Sequence, residues 1–130
     1  MTIGHVMRCE LKADLAEVGA ARQFVRENLA DVPDALNADV QLIASELVTN
    51  AVEHGRGGRV AFALWFEQGA VALTVESIGP APNVGDVDDW VVARAEQVTG
   101  RGLGIVRSIA DRVEVSRPDG RLVITASLAF

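Results

Sequence analysis

The chain has 130 residues, of which 49% are hydrophobic and 23% charged, so it is long enough for one globular domain with a real core and too apolar to be disordered. Its formal net charge of −6 argues against the broad basic surface that binds nucleic acids or anionic membranes, and favours a protein or small-molecule partner. A single cysteine, Cys9, excludes an internal disulfide framework; with no secretion-signal pattern and no apolar run of membrane-span length, the sequence predicts a soluble, cytoplasmic protein.

The first half of the chain predicts a strand followed by two helices. Residues 3–11 alternate between polar and apolar side chains, as expected for a strand. After Asp14, a good helix N-cap, apolar residues recur at helical spacing until Pro33. A second helix is predicted over 34–55. Its buried stripe is expected to consist of Val40, Ile43, Leu47 and Ala51.

The second half predicts four strands and a third helix. Two apolar strands, 59–67 and 70–76, are joined by a tight hairpin turn. The following segment, about 77–100, is rich in Gly, Pro and Asp, and a connection of this length in a small domain is usually a functional lid or a disordered excursion. After the third helix, two final strands at about 112–117 and 121–129 flank a Pro-Asp-Gly turn.

Together these elements predict a single α/β domain over residues 1–130. The expected architecture is a two-layer α+β sandwich, in which a mixed, mainly antiparallel sheet carries three helices on one face. Because successive strand residues point to opposite faces, Trp65 and Phe66 are expected to lie on opposite sides of the sheet, one in the core and one exposed.

A polar stripe runs along the second predicted helix. Glu46, Asn50 and Glu53 recur at helical spacing, so a carboxylate and a carboxamide point the same way. An amphipathic helix whose polar side faces water accounts for such a stripe without any function. The functional interpretation therefore depends on a second motif further along the chain.

The second motif is the glycine-rich segment Gly100-Arg101-Gly102-Leu103-Gly104, which runs directly into the third predicted helix. Backbone amides at a helix N-terminus are free to bind phosphate, and glycine leaves them uncovered. An ordinary loop-to-helix junction shows the same pattern. The segment is not a P-loop, since no Gly-Lys-Ser or Gly-Lys-Thr follows a strand, and its spacing does not give a dinucleotide-binding fingerprint.

In combination the two motifs resemble those of a known family. The segment Glu46-Leu-Val-Thr-Asn50-Ala-Val-Glu-His54 is similar to the N-box of the histidine-kinase-like ATPase (Bergerat) fold, and Gly100-Arg-Gly-Leu-Gly104 is similar to its second glycine box. The resemblance spans nearly the whole chain. The small size and the absence of a phosphoacceptor helix make the chain most similar to the stand-alone anti-sigma-factor serine kinases of bacteria. This resemblance implies an ATP-binding domain that uses Mg²⁺.

The resemblance also implies roles for individual residues. Asn50 would coordinate Mg²⁺ on the triphosphate, and Glu46 would act catalytically by orienting or deprotonating a serine hydroxyl of a partner protein. The residues expected to contact the nucleotide are Asn50, Glu53, Ser77, Gly79, Arg101, Gly102, Leu103, Gly104 and Thr125. Within this set, the amides of the glycine box would hold the phosphates, and Arg101 would add positive charge there.

The chain departs from the family pattern at the end of the pocket that holds adenine. Family members usually carry Asp-x-Gly-x-Gly after the second hairpin strand, where the aspartate accepts the adenine amino group; here the matching residues are Ser77-Ile-Gly79-Pro-Ala81. Glu76 is adjacent, but strand alternation directs it to the opposite face unless a bulge shifts the register. The threonine usual after the last turn glycine is also absent, and Thr125 is the nearest hydroxyl.

Two hypotheses follow. In the first, the chain is an ATP- and Mg²⁺-dependent serine/threonine kinase that phosphorylates or sequesters a regulatory partner, a sigma factor or an anti-sigma antagonist, and so regulates transcription. In the second, it is a degenerate module of the same fold that binds a partner without nucleotide. Glu46, Asn50 and the glycine box favour the first, whereas Ser77, Ala81 and Arg121 favour the second. A homodimer is suggested by the sigma-binding relatives; neither nucleic acid nor a membrane is expected as a partner.

Overall fold

The computed structural model describes residues 5–54, 58–78, 101–118 and 121–130. The strands within these ranges are β1 (Met7–Lys12), β2 (Arg59–Glu67), β3 (Ala70–Ile78), β4 (Arg112–Ser116) and β5 (Leu122–Ala129). The helices are α1 (Val18–Asn28), α2 (Asp34–His54) and α3 (Arg101–Ile109), and a 3-10 turn at Leu15–Glu17 leads into α1. Most of the predicted lid, 79–100, lies outside the described residues.

The described strands form one five-stranded sheet in the order β1-β2-β3-β5-β4. Every neighbouring pair among them is antiparallel, which confirms the expectation of a mainly antiparallel sheet; the parallel pair that a mixed sheet would contain does not occur within the described strands. Helix α2 packs between α1 and α3 and also contacts β2, β3 and β5. The result is the expected α+β sandwich, with helices on one face of the sheet.

Strand alternation separates a helix-facing side of the sheet from an open side. Buried side chains occupy every second position of β2, β3 and β5, and the pairing register is continuous across these strands. Phe66 packs against the core on the helix-facing side, whereas its neighbour Trp65 lies on the open side and donates from Nε1 to Glu67 Oε1 at 2.9 Å. The prediction that these two rings point in opposite directions is confirmed.

A local signal marks the start of the 3-10 turn that leads into α1. Asp14 accepts a hydrogen bond from the amide of Ala16 at 3.0 Å, so it caps the 3-10 turn rather than α1 directly. On α2, the predicted stripe of Val40, Ile43, Leu47 and Ala51 is buried throughout. No helix in the described part of the chain is long and apolar enough to cross a membrane.

Strand β3 extends further than the sequence predicted. It was expected to end at residue 76, with the lid starting at 77, yet Ser77 pairs with Val60 on β2 and with Leu122 on β5. Strands on both sides of β3 continue to this level, and their backbone groups hold Ser77 in the ladder. Ser77 is therefore part of a rigid sheet and does not belong to the lid.

Candidate functional site

The two buried polar side chains among the described residues are Asn50 and Ser77, with relative exposures of 9% and 7%. Both were predicted site residues from the sequence. Buried polar groups are normally retained in a core only when they are hydrogen-bonded or have a functional use. These two positions therefore mark where the fold departs from an apolar interior.

Asn50 lies on the flank of α2 that faces α3. Asn37, on the same helix, donates from Nδ2 to the backbone oxygen of Leu29 at 2.9 Å, which fixes the flank that faces α1. Asn50 follows Asn37 by thirteen residues, so it lies about 140° further round the helix axis, away from α1. Since α2 packs between α1 and α3, the Asn50 side chain is on the α3 side.

The Asn50 carboxamide is buried without full hydrogen bonding. Its Nδ2 atom has no hydrogen-bond partner among the described residues. An unsatisfied buried donor costs roughly 1–3 kcal/mol, so within the described part of the chain the Asn50 Nδ2 group is a cost to folding. Rotation of the carboxamide exchanges nitrogen and oxygen, and the same group can then offer a neutral oxygen to a cation.

Two carboxylates stand on the outer side of α2 next to Asn50. Glu46 is one helical turn before Asn50, and Glu53 follows it by three residues, so all three side chains are neighbours on the helix surface. Burial raises the pKa of the Glu46 carboxyl above its ordinary value of 4.5, and the negative charge of Glu53 raises it further. Glu46 is therefore a stronger proton acceptor than an ordinary surface glutamate.

The raised pKa of Glu46 predicts that Glu46→Gln stabilises the fold. Because the folded chain binds the Glu46 proton more tightly than the unfolded chain, the ionised carboxylate destabilises the fold above its folded pKa. The substitution should raise Tm by about 1–3 °C at pH 7, a small effect because solvent screens this partly exposed group. The gain should shrink as the pH falls towards 4.5 and Glu46 becomes protonated in the wild type.

Thermal unfolding at pH 4, 5, 6 and 7 measures this difference. Asp31→Asn, which removes one negative charge at an exposed site in the α1–α2 connection, is the control for the change in net charge. A Tm difference that is equal for both variants at every pH would contradict a specific penalty at Glu46.

Ser77 lies on the helix-facing side of β3. Its cross-strand neighbours, Val60 and Leu122, are both buried and apolar. Glu76 points to the open side of the sheet, where its carboxylate pairs with Arg121 at 2.6 Å. The register contains no bulge here, so the prediction that Glu76 faces away from the position of the missing aspartate is confirmed.

Leu122 lies on the helix-facing side of the sheet beside Ser77, and no role was predicted for it from the sequence. It is 1% exposed and faces the same side of the sheet as Ser77, directly across the strand pair. Its position follows from the register of the last hairpin, since alternation from the buried Ile124 and Ala126 predicts an inward Leu122. Ser77 and Leu122 together make the expected adenine-binding end of the site more apolar than an aspartate and a threonine would make it.

The glycine-rich motif coincides with the start of α3. The helix begins at Arg101, so the amides of Gly102, Leu103 and Gly104 belong to its first turn and have no acceptor within the helix. Leu103 is 6% exposed and packs in the core, which anchors this turn beside α2. The predicted phosphate-binding amides and Asn50 therefore lie on packed, neighbouring helices.

The structure does not bring all the predicted residues together. Thr125 lies on the open side of the sheet, where its hydroxyl exchanges a 2.9 Å hydrogen bond with Thr74. Strand alternation directs Thr125 away from the face that carries Ser77, and we therefore withdraw it as a nucleotide contact. Gly79 lies outside the described residues, as does the side chain of Arg101.

The donor set near Asn50 suits one class of metal ion. No group of three His, Cys, Asp or Glu side chains that could hold a metal occurs in the described ranges. Mg²⁺ needs no such cage, because it keeps several waters and is usually bound by one or two protein oxygens together with substrate phosphates. Asn50, Glu46 and Glu53 provide oxygen donors of this kind on α2, the helix that packs against α3.

Comparison with known protein families adds an independent finding. Residues 11–128 match the sequence model of the histidine kinase-like ATPase domain, and this match covers most of the chain. No curated protein matches the chain. The matched range begins at the last two residues of β1, ends one residue before the end of β5, and includes both motifs described above.

Proposed function

The chain belongs to the histidine kinase-like ATPase domain family, and from this membership we propose that it is an ATP- and Mg²⁺-dependent regulatory protein that phosphorylates or sequesters a partner protein. Family membership by itself implies ATP binding, typically with Mg²⁺. The finer proposal resembles the anti-sigma-factor kinases, with a hydroxyl of a sigma factor or an anti-sigma antagonist as the target. The proposal rests on the Asn50 side chain, which is buried next to Glu46 and Glu53 and whose Nδ2 has no hydrogen-bond partner among the described residues.

Each residue has a distinct task in this proposal. Asn50 Oδ1 would hold Mg²⁺, whose chemistry is to neutralise the charge on the β- and γ-phosphates. The amides of Gly102, Leu103 and Gly104 would bind phosphate oxygens at the positive end of α3. Glu46 would accept the proton of the attacking hydroxyl, a task for which its raised pKa suits it better than an ordinary carboxylate.

The second candidate function is a partner-binding module that no longer needs nucleotide. The observation in its favour is the apolar character of the pocket at Ser77 and Leu122, where the family usually has an aspartate and a threonine. Replacing a charge-assisted hydrogen bond by an ordinary one weakens binding by about 1–2 kcal/mol. A loss of this size lowers affinity roughly tenfold and leaves nucleotide binding measurable.

Calorimetric titration of ATP and ADP into the protein, with and without Mg²⁺, tests the proposal. We expect binding in the range of about 10 μM to 1 mM for wild type, stronger with Mg²⁺ than with EDTA. Thr125→Val is the control, because Thr125 faces the open side of the sheet and its replacement should leave the affinity unchanged. Absence of any heat at high protein concentration would support the nucleotide-independent module instead.

A further inference from the structure

The outward side of α2 carries a leucine between carboxylates. Asp39, Leu42, Glu46 and Glu53 are spaced by three, four and seven residues, so they form one line of side chains along the helix, here called the outward stripe. Asp39 and Glu53 are exposed, and Glu46 is partly exposed. The buried side of α2 packs against α1, α3 and the sheet. The outward stripe, with the exposed Ala38 and the partly exposed Ser45 and Thr49 beside it, therefore lies on the solvent-facing side of α2, which a partner can reach.

Leu42 is exposed although the other leucines of α2 are buried. Its relative exposure is 39%, whereas Leu36 and Leu47 are at 9% and 0%. A single exposed leucine is common on protein surfaces and carries no inference alone. Leu42 differs because it is one helical turn before Glu46, the proposed proton acceptor, and within reach of Asp39.

The charged side chains of α2 are all acidic. Its sequence contains Asp34, Asp39, Glu46 and Glu53 and has neither lysine nor arginine. These charges alone would be an ordinary solvated helix face. The independent observation is Asn50, which is nine-tenths buried, has an unpartnered Nδ2, and borders the same stripe between Glu46 and Glu53. A ligand that binds the unpartnered carboxamide of Asn50 would therefore also contact a partner bound along the outward stripe.

We propose that the outward stripe is the docking surface for the phosphate-accepting partner, and that the docking segment carries basic residues and one apolar residue beside its serine or threonine. This inference rests on the proposed function and identifies the chemistry of its protein substrate. The basic residues would face Asp39 and Glu53, and the apolar side chain would cover Leu42. The hydroxyl would then lie at Glu46, one helical turn further along.

Labelled serine peptides test the proposal by fluorescence anisotropy. The probe peptide carries two arginines and one leucine next to its serine; in one counterpart the arginines are glutamates, and in the other the leucine is serine. Wild type should bind the probe at least about fivefold more tightly than either counterpart, with an affinity that falls as salt rises. Equal binding of the acidic counterpart would overturn the proposal, and so would a lack of binding to all three peptides.

Surface variants locate the docking site. Leu42→Glu and Asp39→Lys should each weaken probe binding about fivefold or more. The matched controls Leu15→Glu and Asp31→Lys change exposed residues outside α2 and should leave it unchanged. Equal losses in the control pair would also overturn the proposal. Anisotropy is recorded with and without Mg²⁺ and a non-hydrolysable ATP analogue, and ATP affinity is measured separately, so a failure of nucleotide binding is distinguishable from a failure of docking.

Discussion

Asn50→Ala is expected to weaken binding of Mg²⁺-ATP by about 10- to 150-fold and, at the same time, to raise the Tm of the ligand-free protein. The loss of affinity follows from removing an oxygen ligand to the cation, an interaction with a charged group worth roughly 1.5–3 kcal/mol. The gain in stability follows from removing a buried donor that has no partner among the described residues, and from the higher helix propensity of alanine. A residue kept for folding would not show this opposite pair of effects.

Asn37→Ala is the matched control on the same helix. Asn37 donates to the Leu29 oxygen at 2.9 Å and accepts from Gln41 at 2.7 Å, so its carboxamide is used for structure. Its replacement should lower the free energy of unfolding by about 1 kcal/mol and leave ATP affinity unchanged. Asn50→Ala should therefore raise the Tm and Asn37→Ala should lower it. Only Asn50→Ala should weaken the ATP affinity measured by calorimetry.

The contribution of Asn50 should depend on the cation. If Asn50 acts through Mg²⁺, the difference in ATP affinity between wild type and Asn50→Ala should be large with Mg²⁺ and small in EDTA. An Asn50→Ala variant that unfolds at lower temperature and binds Mg²⁺-ATP as wild type does would contradict the assignment, because Asn50 would then be a structural residue.

Periodicity in the sequence predicted the parts of the fold that depend on one element at a time. Helical spacing placed the buried stripe of α2, and strand alternation placed Trp65 and Phe66 on opposite faces of the sheet and Glu76 on the face away from Ser77. Each of these results depends only on which direction a side chain takes from its own backbone. They required no knowledge of the neighbouring elements.

Features that depend on two elements were beyond the sequence. The sequence placed Asn50 on the same stripe as Glu46, whereas its burial depends on the elements that pack against α2, which the pattern of a single helix does not give. The end of β3 depends on how far β2 and β5 extend, which is why Ser77 was assigned to the lid. Thr125 is the nearest hydroxyl along the chain, but the register of β5 places it on the open side of the sheet, away from Ser77.

The two ends of the proposed pocket are therefore different in kind. At the phosphate end, Asn50 and Glu46 are held in states that are unfavourable for the fold, an unsatisfied amide and a desolvated carboxylate. At the adenine end, Ser77 sits in a regular ladder between Val60 and Leu122, with no comparable penalty. Restoring a charge at the adenine end should therefore cost stability and improve nucleotide binding.

Ser77→Asp is expected to tighten ATP binding about tenfold and to destabilise the ligand-free protein. If adenine binds as the family resemblance implies, the new carboxylate accepts a charge-assisted hydrogen bond from its amino group. Without ligand, the same carboxylate is buried against Val60 and Leu122, so its folded pKa should be raised and its penalty should grow as the pH rises through that value. Tm should therefore fall more at pH 8 than at pH 5.

The relative affinities for ATP and GTP show whether Ser77→Asp restores a specific hydrogen bond to adenine or changes the pocket in a general way. Guanine has a carbonyl where adenine has its amino group, so Ser77→Asp should tighten ATP and weaken GTP, and it should increase the ratio of the two affinities measured by calorimetry. Ser77→Asn has nearly the same size without the charge, and should show little of the Tm loss and a smaller gain for ATP. Equal binding of ATP and GTP by the Ser77→Asp variant would mean that adenine does not lie against residue 77. The apolar surface of Ser77 and Leu122 would then belong to a partner-binding module rather than to a nucleotide pocket.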